Sequence, residues 1–289
     1  MFGIMISIII PTFNRKDWLQ KAINAILRQA DHRDIEIIIL DDGSSDGTRQ
    51  YLKSLADEHN FIKVLLKNRL GPAKLRNLGV SISNAEVLCF LDDDSIPDSG
   101  WFQELRDSIK NLDPIYAAVK GFVIPYNNSG LPKFLGEYIH VSDSWATNNI
   151  AFRKELFLKA GGFDTQFTFA AWEDLDLGFR LEKMGYKRFY NERMVISHPH
   201  EENIKQLKKK FKINGYGYYQ FCRKWIKIDP KWIISMWLER IRVLYYLLPG
   251  MEHLDYLRYI HGLRIRYEIW GMLLGIFTRG RITSRTKDN

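Results

Sequence analysis

Asp92, Asp93 and Asp94 follow directly on the apolar run Val87-Leu88-Cys89-Phe90-Leu91. Five apolar residues closed by a polar cluster read as a buried strand with a charged carboxyl end. Like charges held together there raise the electrostatic energy unless a cation or a basic partner neutralises them. Asp92 and Asp94, two residues apart, can both offer oxygen ligands to one hard divalent cation. The plain alternative is a solvated turn, because Asp, Ser95 and Pro97 all suit turns, but a turn rarely needs three consecutive carboxylates.

A second acidic cluster, Glu173-Asp174-Leu175-Asp176, opens a helical segment behind Trp172. The helix dipole favours acids in a first turn, which accounts for at least one of the three. A carboxylate in that cluster can act as general base if it reaches an acceptor hydroxyl. Asp42 stands where a carboxylate can accept hydrogen bonds from a ribose or base. Its alternative is to cap the helix near Thr48, a role that suits Asp46 better. Arg76 lies on a helix opened by Gly71-Pro72, where guanidinium and helix N-terminus both favour phosphate; the competing account is a surface arginine. His198, after Val195-Ile196-Ser197, either satisfies a structural hydrogen bond or ligates a metal. Trp145 and Asn148 offer an aromatic face and an amide of the kind that suits sugars, although Trp145 would also suit a core.

The elements that must position these groups alternate in type. Ile4 to Ile10 reads as a buried strand, Asp17 to Arg28 as a helix, Ile35 to Leu40 as a strand and Thr48 to Glu58 as a helix. Phe61 to Leu66, Pro72 to Val80 and Val87 to Leu91 continue the rhythm. Such alternation predicts a mainly parallel sheet flanked by helices, with ligands bound outside the carboxyl ends of its strands. The polar clusters stand at those ends: Pro11 to Arg15, Asp41 to Gly47, Asn68 to Gly71, and the triple aspartate. Lys154 to Ala160 and Asp174 to Met184 add helices, and mixed α/β structure is expected to residue 200, with a basic, aromatic-rich helical region over 201–289.

Together these motifs resemble family 2 glycosyltransferases: Pro11-Thr12-Phe13-Asn14-Arg15, Asp41-Asp42-Gly43-Ser44, Arg76-Asn77-Leu78-Gly79, Leu91-Asp92-Asp93-Asp94 and Glu173-Asp174-Leu175-Asp176 recur in this order. The likeness covers roughly residues 4–200. It implies a GT-A-type, Rossmann-like mixed sheet and a metal-dependent, inverting transferase that takes sugar from a nucleotide-sugar, most readily a UDP-sugar. On the donor side it implies Pro11, Thr12, Asn14, Arg15, Asp42, Arg76, Asp92 and Asp93. It implies Mn2+ or Mg2+ on Asp94 and Asp92 with His198 nearby, Asp174 as general base with Glu173 as the fallback, and an acceptor side holding Trp145, Asn148 and Trp172. The implied acceptor is a glycan or a lipid-linked glycan, in polysaccharide or glycoconjugate assembly. Two rivals are weighed. A sugar-phosphate nucleotidyltransferase would need a glycine-rich basic loop after the first strand, which Pro11 to Arg15 lacks. A catalytically silent glycan-binding or membrane-scaffolding protein would not need both acidic clusters.

The net charge of +8 is uneven. Residues 1–200 hold 24 Lys and Arg against 26 Asp and Glu, whereas residues 201–289 hold 18 against 8. Lys205, Lys208, Lys209, Lys210 and Lys212 precede Tyr216, Tyr218, Tyr219, Phe221 and Trp225, then Trp232, Trp237, Tyr245 and Tyr246. That pattern predicts helices at an anionic membrane surface; a helical cap or a homo-oligomer contact is the alternative, and no nucleic-acid recognition motif is present. No secretory signal or spanning segment is expected. Cys89 and Cys222 lack disulfide or metal spacing, so the expected location is cytoplasmic, peripheral on the inner face of the membrane.

Overall fold

The computed structural model describes residues 4–31, 33–126, 144–199, 203–231, 233–234 and 255–277. The chain divides into two compact units, Met1–Gln166 with Glu173–His200, and Phe167–Trp172 with Glu201–Asn289.

The first unit is built on β1 (Ile6–Thr12), α1 (Lys16–Leu27), β2 (Ile35–Asp41), α2 (Thr48–Glu58), β3 (Ile62–Leu66), α3 (Pro72–Ile82) and β4 (Val87–Leu91). It continues through β5 (Ile96–Pro97), α4 (Trp101–Lys110), β6 (Tyr116–Pro125), β7 (Asn149–Arg153), α5 (Lys154–Lys159), α6 (Glu173–Lys183) and β8 (Lys187–His198). Eight strands form one sheet in the order β3-β2-β1-β4-β7-β6-β8-β5. β1 pairs in parallel with β2 and β4, β2 pairs in parallel with β3, and β7 runs antiparallel between β4 and β6. β6 and β8 are parallel again.

Both faces of the sheet are covered, which is why β1, β2 and β4 are apolar without alternation. Ile6, Ile8 and Ile10 pack with Leu19, Ile23 and Ile26 of α1 and Leu52 of α2. Ile9 points the other way, to Leu75 and Val80 of α3, Phe157 of α5 and Leu177 of α6. A Cβ on Gly79 would lie 2.6 Å from Ile9 Cγ2, so this glycine lets α3 seat on the sheet.

Glu36 places a charge inside β2. Glu36 is buried beside Ser7 across the β1–β2 pair and accepts 2.5 Å bonds from Ser7 Oγ and Lys63 Nζ. Burial would raise its pKa, but the bonds from Lys63, Ser7 and the Asn84 N–H outweigh that and hold it below its ordinary value. A depressed carboxyl stabilises the fold above its unfolded pKa and loses that contribution as pH falls through its folded pKa. Glu36→Ala, which strips the network of its acceptor, is therefore expected to cost about 3 kcal/mol of stability at neutral pH. The cost should shrink in acid below the ordinary value of 4.5. Denaturant midpoints across pH check both.

Topology gathers the polar clusters at one edge. Thr12 pairs with Asp41 at the ends of β1 and β2, and β1 lies between β2 and β4, where crossovers diverge. Antiparallel β7 begins at that edge, with Asn149 opposite Leu91. β8 ends there too, His198 facing Pro125.

In the second unit, α7 (Ile204–Trp225) packs on α8 (Asp255–Phe277). Gly215 meets the backbone of Glu268, and Gly271 that of Lys212 and Tyr216, leaving no room for side chains between the helices. Tyr216, Tyr218, Phe221 and Trp225 are buried. Phe169 meets Tyr216 edge-on at 5.5 Å, and Trp172 packs on Tyr218 and Phe221 at 4.9 and 5.3 Å. These aromatics, expected at a membrane surface, are interior: apolar rings on one face of a helix bury best against other rings. Trp232, Trp237, Tyr245 and Tyr246 lie outside the described residues.

Candidate functional site

The three aspartates take three directions. Asp92 Oδ1 accepts a 2.8 Å bond from Arg76 Nη2. Asp93 accepts from Thr12 Oγ1 at 2.8 Å and from Arg15 Nη1 at 3.1 Å, while the Phe13 N–H reaches the same carboxylate at 3.4 Å. Asp94 pairs with Arg15 and, through Oδ1, with His198 Nε2 at 3.0 Å. Asp93 is thus more than a spacer: it straps the strand-end acids to the loop after β1.

Ligand atoms of Asp92, Asp94 and His198 all lie within 4.8 Å of one another. His198 Nδ1 stands 2.7 Å from the Pro199 carbonyl, which can only accept, so Nδ1 carries a hydrogen. A neutral ring would then aim the Nε2 lone pair at the Asp94 carboxylate. That contact needs a cation, either a proton on Nε2 or a metal ion between the two groups. Two carboxylates and an imidazole suit Mn2+ or Mg2+.

Arg76 is buried, and its Nη1 donates to Glu173 Oε1 at 2.8 Å, so it bridges both acidic clusters. Its Nε and Glu173 Oε2 are buried without a hydrogen-bond partner. Asp174, half-buried, accepts a 2.8 Å bond from the Leu175 N–H at the start of α6. Trp172, just before them, has φ +74°, a rare region for a bulky side chain that costs backbone strain.

The site holds more carboxylates than basic groups, and its titration reflects that. Burial, with Asp174 adding, pushes Glu173 up to about 8 against the pull of Arg76. Burial also pushes Asp93 up to about 7, with Arg15 opposing and Asp94 adding. Asp174 is raised, chiefly by burial. Burial would raise Asp94 as well, but His198 and Arg15 hold it well below the usual range.

The loops after β1 and β2 brace each other. Asn14, with φ +52°, accepts from the Ser45 N–H at 2.8 Å, and its own N–H donates to Ser44 Oγ at 2.8 Å. Asp42 does not cap α2. Its carboxylate accepts the Leu70 and Gly71 N–H groups at 2.6 and 3.1 Å, pinning the entry to α3, while Asp46 binds Thr48. Pro11 is half-buried at the end of β1.

One acceptor candidate is overturned. Trp145 is buried, stacks on Phe152 at 6.0 Å, donates to Glu182 at 2.7 Å and has Gly178 directly beneath its ring, so it offers no face to a sugar. Asn148 remains at the sheet edge, accepting from Lys120 Nζ at 2.8 Å.

Lys120, on β6, is the principal group that sequence reading missed. It is buried and donates to Asn148 Oδ1 and the Ala146 carbonyl, and burial draws it down to about 7 while Asp174 and Asp92 pull it up. A lysine within Ala118-Val119-Lys120-Gly121 gives a faint signal: a charge inside a strand that otherwise reads as fully buried. Asp41 and Asn149 were also overlooked as struts. Asp41 binds Arg49 Nε at 2.6 Å, and Asn149 ties Trp101 to the carbonyls of Phe122 and Met194. A separate cleft of about 340 Å³, lined by Glu104, Asp107, Tyr116, Phe189, Asn191 and Arg193 among others, contains none of the acidic site residues.

The family model described as Glycosyl transferase family 2 matches residues 7–171. A validoxylamine A glucosyltransferase from Streptomyces hygroscopicus subsp. jinggangensis is 27% identical over 237 residues, covering 68% of this chain and 56% of its own length. The chain therefore spans little more than half of that relative. A GalNAc(5)-diNAcBac-PP-undecaprenol beta-1,3-glucosyltransferase from Campylobacter jejuni is 42% identical over 91 residues, 31% of this chain and 29% of its own. Among solved structures, a mannosyltransferase from Pyrobaculum calidifontis in complex with GDP-Man and Mn2+ superposes with a TM-score of 0.66 at 16% identity. That alignment covers 96% of this chain and 88% of the other, a likeness of fold.

Proposed function

Because the chain belongs to glycosyl transferase family 2, we propose that it transfers a sugar from a nucleotide-sugar, with a UDP-sugar as donor, to a glycan or lipid-linked acceptor. The observation that carries this reading is the convergence of Asp92, Asp94 and His198 at a contact that demands a cation. Asp92, Asp94 and His198 would hold Mn2+ or Mg2+. When bound, the metal supplies Lewis-acid neutralisation of a departing diphosphate.

The chain's own residues do the rest. Thr12, Asn14 and Asp42 shape the nucleotide side, and Arg15 and Arg76 bring guanidinium charge to the phosphates. Asp174 takes the proton from the acceptor hydroxyl; that oxygen bonds to the anomeric carbon as the bond from carbon to the diphosphate oxygen breaks, with inversion. Asp174 suits this role better than Glu173, because Arg76 occupies one Glu173 oxygen and burial keeps Glu173 protonated to about pH 8. Asn148 remains on the acceptor side of this reading. The relative from Campylobacter jejuni, named as a glucosyltransferase for GalNAc(5)-diNAcBac-PP-undecaprenol, supports a lipid-linked acceptor.

Thermal shift against UDP-, GDP- and dTDP-sugars, with and without Mn2+, tests the donor side. Stabilisation by a UDP-sugar only when Mn2+ is present is expected. Indifference to every nucleotide would remove the reading, and equal stabilisation with and without Mn2+ would remove the metal from it.

Proton release gives a further prediction. Burial, with repulsion from neighbouring carboxylates adding, keeps Asp93 and Glu173 protonated to about 7 and about 8, and a divalent cation would favour their charged forms, so its binding should expel protons from them near neutral pH. Calorimetry of Mn2+ binding in buffers of different ionisation heat should show about one proton released near pH 6.5, falling toward none in alkali. Affinity should rise with pH over the same window.

A further inference from the structure

The buried aromatics of α7 leave a different face of the second unit unpartnered. Along α8, Arg266, Ile269, Trp270, Leu273, Ile276 and Phe277 are all exposed, Trp270 by 56% and Phe277 by 79%. At 100° per residue these six positions fall within an arc of about 120°, one continuous apolar stripe with an arginine at its start. The acid of this segment, Glu268, is buried and paired with Arg264, so among the described residues of this segment no carboxylate shares the stripe. Exposed apolar residues contiguous on one face mark an interaction surface.

Charge decides among occupants. α7, packed beside α8, exposes Lys205, Lys209 and Lys212, and residues 201–289 carry 18 basic groups against 8 acidic ones. Tryptophan and phenylalanine on one helix face, with cations around them, match a helix lying in the plane of an anionic bilayer interface. No helix among the described residues is long and apolar enough to cross a membrane, which agrees with lying on one.

We propose that the Ile269-Trp270-Leu273-Ile276-Phe277 face of α8 docks on an anionic phospholipid surface, with Arg266 on the same face. The apolar side chains enter the headgroup region, and the cations hold the helix against anionic lipid. The docking does not depend on the lipid-linked reading above.

The test uses the full chain without donor or acceptor, so its outcome is independent of transfer activity. Sedimentation with phosphatidylcholine vesicles, with and without phosphatidylglycerol, is expected to show binding that requires the anionic lipid and weakens with salt. Combining Trp270→Ser, Ile276→Ser and Phe277→Ser should lower that binding about tenfold or more, with circular dichroism and thermal midpoint unchanged because these side chains are exposed. Arg266→Glu, which reverses the charge on that face, should weaken the preference for phosphatidylglycerol severalfold. Vesicle binding by the triple variant equal to that of the parent would overturn the proposal. So would a parent chain that ignores vesicles, or a stripe whose replacement only converts a dimer to a monomer.

Discussion

Asp94→Ala is expected to lower glycosyl transfer by about three orders of magnitude and to eliminate stabilisation by Mn2+. Asp94 is the most committed member of the acidic group: it is buried, held ionised by His198 and Arg15, and placed where Asp92 and His198 converge. Removing it takes away one anchoring oxygen and the group that orients His198. Arg15 keeps Asp93 as partner and is half-exposed, so the fold should survive. Thermal melting without nucleotide separates the outcomes, since a site defect leaves the unliganded midpoint near that of the parent. Asp94→Asn, nearly the same shape, should be almost as inactive, which places the effect on charge rather than packing. Asp93→Asn should act differently. It disturbs the strap to Thr12 and Arg15, and should raise the KM for donor more than it lowers kcat.

Asp174→Asn should reduce kcat by about two to four orders of magnitude while leaving donor affinity nearly unchanged. A general base works deprotonated, so the parent's rate should climb as pH rises through the pKa of Asp174, which burial sets above the ordinary 3.8. The variant should lose that limb of the profile. Glu173→Gln is the matched control: the amide oxygen can still accept from Arg76 Nη1, and the loss should stay within about tenfold. If instead Glu173→Gln lost the rate and the acid limb, the two carboxylates would exchange roles.

Much of this architecture was legible in the residues because its determinants are local. β1, β2 and β4 are dominated by isoleucine, leucine and other apolar residues, with Ser7 and Glu36 as the polar exceptions inside β1 and β2, and each strand ends in the polar cluster that the site uses. Gly71-Pro72 opens α3 as its chemistry requires, since glycine there takes φ +83° and proline needs no N–H in the first turn. What escaped depends on groups far apart in the chain. Asn148 and Lys120 meet because β6 and β7 pair, and no local pattern announces that contact. Arg76 read as a phosphate-binding group with a surface arginine as the alternative, and its burial depends on two acidic partners 16 and 97 residues away. Trp145 was ambiguous because an aromatic ring suits a core and a sugar equally. Its burial was decided by Gly178 on α6, which leaves the space that the indole fills. The tail shows the same limit: composition signalled a basic, aromatic surface, while packing turned the aromatics of α7 inward and exposed those of α8.

The most direct measurement is nucleoside diphosphate release from a UDP-sugar by metal-stripped protein, followed as Mn2+ is restored, in the parent and in Asp94→Ala. The parent should be silent in EDTA, regain turnover saturably with Mn2+ and give product of inverted anomeric configuration, while the variant stays silent throughout. Equal turnover in EDTA, or an Asp94→Ala variant that responds to Mn2+ as the parent does, would contradict a metal-assisted transfer centred on Asp92, Asp94 and His198.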